Sequence, residues 1–125
     1  MSKTILVVDD SSTTRSLISS QLSECGDYEI QEAATGFEAL KMLPAGKVDL
    51  IITDINMPDI NGLELISFVR ENPIYREIPT VIISTEDSEE DRKRGMELGA
   101  EEYIVKPFTV VELREAVERV LNKES

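Results

Sequence analysis

Four short apolar runs, dominated by Val and Ile, divide this chain: Ile5-Leu6-Val7-Val8, Leu50-Ile51-Ile52, Val81-Ile82-Ile83 and Tyr103-Ile104-Val105. Half-exposed strands alternate apolar and polar residues, whereas strands covered on both faces read as continuous apolar runs. The runs therefore predict a parallel sheet with helices on both sides. Each run leads into a polar residue: Asp9-Asp10 after the first, Asp54 after the second, Ser84 after the third and Lys106 after the fourth. In an open parallel sheet the carboxyl ends of the strands border the ligand crevice. Three carboxylates, a hydroxyl and an ammonium thus converge on one edge.

The segments between these runs are amphipathic or charged. Strands are expected at about 4–8, 28–33, 48–53, 79–84 and 102–105, and helices at about 12–25, 36–43, 62–72, 87–98 and 110–122. Thr35 with Glu38 and Thr109 with Glu112 have capping-box spacing, and Asn61 with Glu64 is a related form. In the last helix, Leu113, Val117, Val120 and Leu121 fall on one face, as a core-facing helix requires. The helix at 87–98 differs: it is mostly charged, with Glu89–Lys93 and Glu90–Arg94 in the favourable order and only Met96 and Leu98 as apolar anchors. A helix held so lightly can shift at modest cost. Regular alternation of strand and helix predicts a doubly wound α/β fold with right-handed crossovers. No repeat or linker interrupts it, so residues 1–125 read as one domain.

Composition removes several classes of function. The net charge of −12, from 25 acidic and 13 basic residues, repels phosphate backbones and argues against direct nucleic-acid binding. No apolar stretch approaches the ~18 residues of a membrane span. Met1-Ser2-Lys3-Thr4 runs straight into the first strand, which predicts no leader and a cytoplasmic protein. The single Cys25 permits no internal disulfide or CxxC motif, and its helical spacing with Ile18 and Leu22 predicts a small buried hydrophobe. The chain has no histidine, so Ser-His or Cys-His nucleophiles and histidine-ligated zinc are excluded within it.

If the first and third strands are neighbours, Asp9, Asp10 and Asp54 share one pocket. Their repulsion couples their titrations and favours a divalent cation among them. Oxygen ligands alone point to Mg²⁺ or Mn²⁺. Singly, Asp9 reads as a helix cap and Asp54 as a turn residue; only the cluster calls for metal. Lys106 would point into this crevice and neutralise a carboxylate or phosphoryl oxygen. Ser84 offers a hydroxyl, with bonding to local backbone as the alternative. Lys106-Pro107 is a candidate cis peptide.

Taken together, Val7-Val8-Asp9-Asp10-Ser11, Thr53-Asp54-Ile55-Asn56-Met57-Pro58 with Asn61-Gly62, Ile83-Ser84, Gly99-Ala100 and Tyr103-Ile104-Val105-Lys106-Pro107-Phe108 resemble the receiver domain of two-component response regulators. That resemblance implies a flavodoxin-like fold, five parallel strands in the order 2-1-3-4-5 with five helices. It implies Asp54 as phosphoacceptor, receiving a phosphoryl group from a sensor histidine kinase or phosphotransfer domain. Mg²⁺ would be held by Asp10, Asp54 and the backbone carbonyl of Asn56, with Asp9 helping through water. Ser84 would bond the phosphoryl group, Lys106 would pair with it, and Tyr103 would change rotamer. The face made by the fourth helix, fifth strand and fifth helix would bind a downstream protein. Asn56, Glu86 and the Asp9–Thr13 stretch resemble single-domain chemotaxis regulators, which implies a target such as the flagellar motor switch. Asn56 and Glu86 would tune dephosphorylation, with Thr85 narrowing the approach. A fourth helix carrying Asp87, Glu89 and Arg92 is more charged than a motor-binding face. Two other readings are the receiver part of a larger, for example DNA-binding, regulator and a Mg²⁺-dependent aspartate-nucleophile phosphohydrolase. Apart from its own phosphoryl uptake and loss, the expected protein is not an enzyme.

Overall fold

The computed structural model describes residues 2–85 and 89–122. Its element order is β1 (Lys3–Val8), α1 (Ser12–Cys25), β2 (Tyr28–Ala33), α2 (Gly36–Met42), a 3₁₀ turn (Leu43–Ala45), β3 (Leu50–Thr53), α3 (Gly62–Glu71), β4 (Thr80–Ser84), α4 (Glu89–Glu97), β5 (Glu102–Val105) and α5 (Val110–Asn122). The five strands are parallel in the order β2-β1-β3-β4-β5. The expected order is therefore found, and it makes β1 and β3 neighbours, with Val8 opposite Thr53. Among the described residues no helix is long and apolar enough to cross a membrane.

The apolar runs are buried on both faces because each face has its own helices. Ile5, Val7, Leu50, Ile52, Val81 and Ile83 pack against Ile18 and Leu22 of α1 and against the α5 stripe, where Leu113, Val117, Val120 and Leu121 are all buried. On the other face Leu6, Val8 and Ile51 meet Ala39 of α2 and Leu65 and Val69 of α3. A third cluster joins Ile55, Leu63, Ile66, Ile82, Ala100 and Tyr103. The Asn61–Glu64 and Thr109–Glu112 pairs bond reciprocally, each side chain reaching the other residue's backbone N–H. Glu38 departs from the pattern: Thr35 caps its N–H, but its carboxylate accepts from Ala34 instead.

Three local expectations are corrected. Cys25 is half-buried, because it ends α1 beside Gly26 where the helix leaves the core. The helix expected over 36–43 gives way to the 3₁₀ turn at Leu43, with Pro44 inside it. In α4 the expected anchor Met96 is exposed (44%), while Gly95 is buried against the sheet. A Cβ on Gly95 would lie 2.6 Å from Ile82 Cδ1. Absence of a side chain thus seats this helix, together with Leu98 against the third cluster. The expected helix start at Asp87 lies outside the described residues.

Arg70, near the end of α3, is a fastening that periodicity could not reveal. Its Nη1 donates to the carbonyls of Arg76 (3.0 Å) and Ile78 (2.7 Å), and its Nη2 donates to Gly99 O (2.8 Å) and Thr80 Oγ1 (3.3 Å). One guanidinium therefore ties the α3–β4 loop to the turn after α4. Gly99 has φ 105°, and a Cβ there would meet Arg70 Nε at 2.6 Å. Arg70→Ala should cost about 3 kcal/mol, a fall in Tm on the order of 10 °C, because the part-buried acceptors on Ile78, Thr80 and Gly99 lose their donor together. Arg70→Lys should recover only part, since an ammonium lacks the planar fork. Thermal melts check this, and a loss below about 0.5 kcal/mol would contradict it.

Candidate functional site

The site forms where β1 and β3 stop side by side. Asp54 N–H donates to Val8 O (3.0 Å) and Asp9 N–H to Ala33 O (3.1 Å), so ladder bonds fix both backbones. Beyond them the chain turns away and the side chains enter the crevice. Oxygens of Asp9, Asp10 and Asp54 all lie within 4.8 Å of one another. Asp9 is almost wholly buried, Asp54 is 9% exposed and Asp10 faces solvent.

Asp9 does not cap α1; Ser11 does, accepting from Thr14 N–H. The Asp9 carboxylate accepts from Ser11 N–H through Oδ1 (2.9 Å) and from Lys106 Nζ through Oδ2 (2.9 Å). Arg15 braces the same residue from behind, its Nη1 on Asp9 O at 2.7 Å. Asp54 Oδ1 accepts from Ile55 N–H (2.7 Å), and its Oδ2 lies 3.3 Å from Lys106 Nζ. One ammonium therefore spans two carboxylates. Lys106 reaches them because its own N–H donates to Ser84 O (2.9 Å), extending the β4–β5 ladder by one residue. The Lys106-Pro107 bond is cis, as the sequence allowed.

Burial is the largest influence on Asp54 and raises its pKa; Lys106 opposes this, and Asp9 adds to it. For Lys106, burial alone would lower the pKa, but the bond to Asp9 and the charges of Asp54 and Asp9 together carry it upward. The ammonium thus stays charged, and the ionised Asp54 is held at a net cost. A group whose pKa is raised on folding contributes stability below its unfolded value, and that contribution is lost as pH rises through the folded value. Asp54→Asn removes the group that must ionise. In chelator-treated protein the variant should melt a few degrees above wild type at neutral pH, with the gap closing below the ordinary carboxylate range. Lower melting of the variant at neutral pH would contradict this balance.

Ser84 is fully buried at the end of β4, opposite Val105. Tyr103 lies two pairs earlier, opposite Ile82, and its ring is already buried in the third cluster. Asn56 is exposed in the loop after Asp54, and Thr85 is exposed beyond Ser84. Glu86 lies outside the described residues. Strand ends alone thus bring together Asp9, Asp10, Asp54 and Lys106.

Two contributors were not visible in the spacing. The Ile55 N–H is a main-chain donor, which no residue type announces. Gly62 starts α3 against the main chain of the loop that follows β3: its N–H donates to Ile55 O (2.8 Å), and a Cβ would fall 2.0 Å from Asp54 O. The Asn-Gly pair at 61–62 was the available signal, but its reason is this close approach. Asp59 completes the loop, accepting from the N–H groups of Gly36, Phe37 and Ile60.

A hard cation suits this donor set. The ligands are oxygens only, three carboxylates lie close together, and a single ammonium leaves negative charge uncompensated.

Residues 5–118 match the family described as the response regulator receiver domain. The chain is 43% identical to chemotaxis protein CheY1 of Helicobacter pylori over 118 residues, 94% of this chain and 95% of that one. It is 41% identical to a chemotaxis protein CheY homolog of Campylobacter jejuni over 122 residues, covering 97% of this chain and 94% of the relative. A solved structure of Vibrio cholerae chemotaxis protein CheY4 superposes with a TM-score of 0.90 at 37% identity, covering 97% of this chain and 100% of that one.

Proposed function

Because this chain belongs to the response regulator receiver domain family, a phosphorylation switch of two-component systems, we propose that Asp54 is its phosphoacceptor. Proteins of this kind are signalling proteins rather than classical enzymes, and they work with a kinase and a downstream target. The observation that carries the reading is Lys106 spanning Asp9 and Asp54 within a three-carboxylate cluster at the sheet edge.

An Asp54 oxygen attacks phosphorus while the bond from phosphorus to the kinase or phosphotransfer-domain histidine breaks. Phosphoryl transfer asks mainly for alignment and charge neutralisation. Ile55 N–H orients one Asp54 oxygen, and Lys106 stands beside the other, ready to pair with phosphoryl oxygens. Asp10, Asp54 and the Asn56 carbonyl would hold Mg²⁺, or Mn²⁺ in its place. Asp9, whose two oxygens already accept from Ser11 and Lys106, suits an indirect role. Bound there, the cation would neutralise phosphoryl charge and relieve repulsion among the carboxylates. Ser84 would bond the phosphoryl group, Tyr103 would carry the change outward, and Asn56 with Glu86 would tune its loss. The output is of the chemotaxis type, delivered by the face of α4, β5 and α5 to a protein target such as a motor switch; its setting would be the cytoplasm. Residues 1–125 act as one receiver unit in this reading.

Incubation with a small phosphodonor and Mg²⁺, followed by intact-mass measurement, tests the proposal. One phosphoryl group should be gained, and a chelator should prevent it. Unchanged mass under saturating donor and metal would overturn it.

A further inference from the structure

The charged helix α4 carries a contact that its composition does not suggest. The guanidinium carbon of Arg92 lies 4.8 Å from the centroid of the Tyr103 ring. That ring is 9% exposed and belongs to the cluster of Ile55, Leu63, Ile66 and Ile82. Arg92 itself is on the surface, so its guanidinium lies over a ring that is largely buried. Stacking of a cation on a ring face is attractive and also shields the ring from water.

The remaining attachments of α4 show where it is able to move. Its C-terminal end is pinned: Ala100 N–H donates to Gly95 O (3.0 Å), and Arg70 holds Gly99 O at 2.8 Å. In the same half, Gly95 sits directly on Ile82. Toward the N-terminal end the exposed Glu89 and Glu90 bring no apolar anchor. Arg92 sits one turn before Gly95, where the pinned part of the helix begins.

We infer that Arg92 is a positioning residue that latches α4 to Tyr103, holding the ring in its buried place and making ring position and helix position move together. The inference rests on the phosphoacceptor reading only for what releases or tightens the latch. Its resting-state part needs no phosphoryl group. With the cation in place, an outward ring loses the stacking contact, so the buried ring is favoured by about two- to fivefold over the same protein without it. With the cation gone, ring and helix fluctuate separately, and a change at Asp54 reaches Tyr103 without dragging α4.

The test compares wild type with Arg92→Met, which keeps an apolar stem, and Arg92→Lys, which keeps a charge. Ring-labelled tyrosine NMR can follow Tyr103 against only two other tyrosines, with Tyr103→Phe for assignment. In resting protein, Arg92→Met should raise the solvent-accessible ring population two- to fivefold, and Arg92→Lys should lie nearer wild type. Beryllofluoride, a phosphoryl mimic, should then shift backbone amides of 89–98 in wild type. In Arg92→Met these shifts should shrink while those around Asp54 persist. Identical ring environments in wild type and Arg92→Met would overturn the latch, as would full α4 shifts in that variant. Absence of any beryllofluoride response in wild type would instead count against the phosphoacceptor reading, and the resting ring comparison would still decide the latch.

Discussion

Asp54→Asn should gain no phosphoryl group under conditions that saturate wild type, a loss of at least 100-fold in rate as read by intact mass. Three carboxylates share the pocket, and distance alone does not choose among them. Their commitments do. Asp9 is almost fully buried, and both of its oxygens are taken up by Ser11 N–H and Lys106. Asp10 faces solvent at the rim of the pocket. Asp54 combines partial access with a pKa raised chiefly by burial, which makes its ionised oxygen a better nucleophile, and with a backbone N–H that orients it. Replacing it by asparagine removes the nucleophile but keeps the shape, so the fold should persist and melts should verify that. Asp10→Asn should behave differently: slower uptake, partly restored by more Mg²⁺, with the label still on Asp54. Mg²⁺ should also raise the wild-type Tm, by roughly 2.7 kcal/mol of stability at a hundredfold excess over its Kd, and raise it far less in Asp10→Ala. Wild-type labelling of Asp54→Asn would remove the assignment.

The second large effect is expected at a residue with no chemistry of its own. Gly62→Ala places a methyl group 2.0 Å from Asp54 O, 2.9 Å from Asp54 C and 3.1 Å from Ile55 Cα. All three atoms are backbone, so no rotamer change relieves the clash. Either α3 slides off its seat or the Asp54–Ile55 main chain is pushed aside. Overpacking of this kind costs about 3 kcal/mol. It also moves the oriented carboxylate, and a misplacement of about 1 Å is enough to slow transfer on the order of 100-fold. Gly46→Ala is the matched control, because a Cβ there meets nothing within 4 Å. Denaturant melts and phosphodonor kinetics on both variants give the answer. If Gly62→Ala matched Gly46→Ala in both, the close approach would not matter to the site.

Arginines and glycines mark the boundary of what can be read from residue order. The sequence by itself determined the strands, the α5 stripe and the polar residue at each strand end. Those follow from local periodicity and from which side chains water rejects, and neighbours along the chain report both. The caps at Asn61 and Thr109 were legible for the same reason, since donor and acceptor are three positions apart. Strand order was implied by resemblance, because sheet neighbours need not be neighbours in sequence.

Only the tertiary structure decided which groups meet. Lys106 reaches Asp9 across 97 positions and Asp54 across 52, and nothing in either local segment encodes that pairing. Arg70 ties the β4 entry to the turn after α4, 29 positions away, and nothing in its own segment announces that bond. Met96 looked like an anchor of α4, while the buried contact belongs to Gly95, because what fits against Ile82 is set by the gap between two packed layers. Arg92 counted only toward the charge of its helix until the fold laid it over Tyr103. Burial patterns are properties of a segment and its solvent, so sequence carries them. Close approaches and ion pairs are properties of two segments brought together, and the packed sheet creates them.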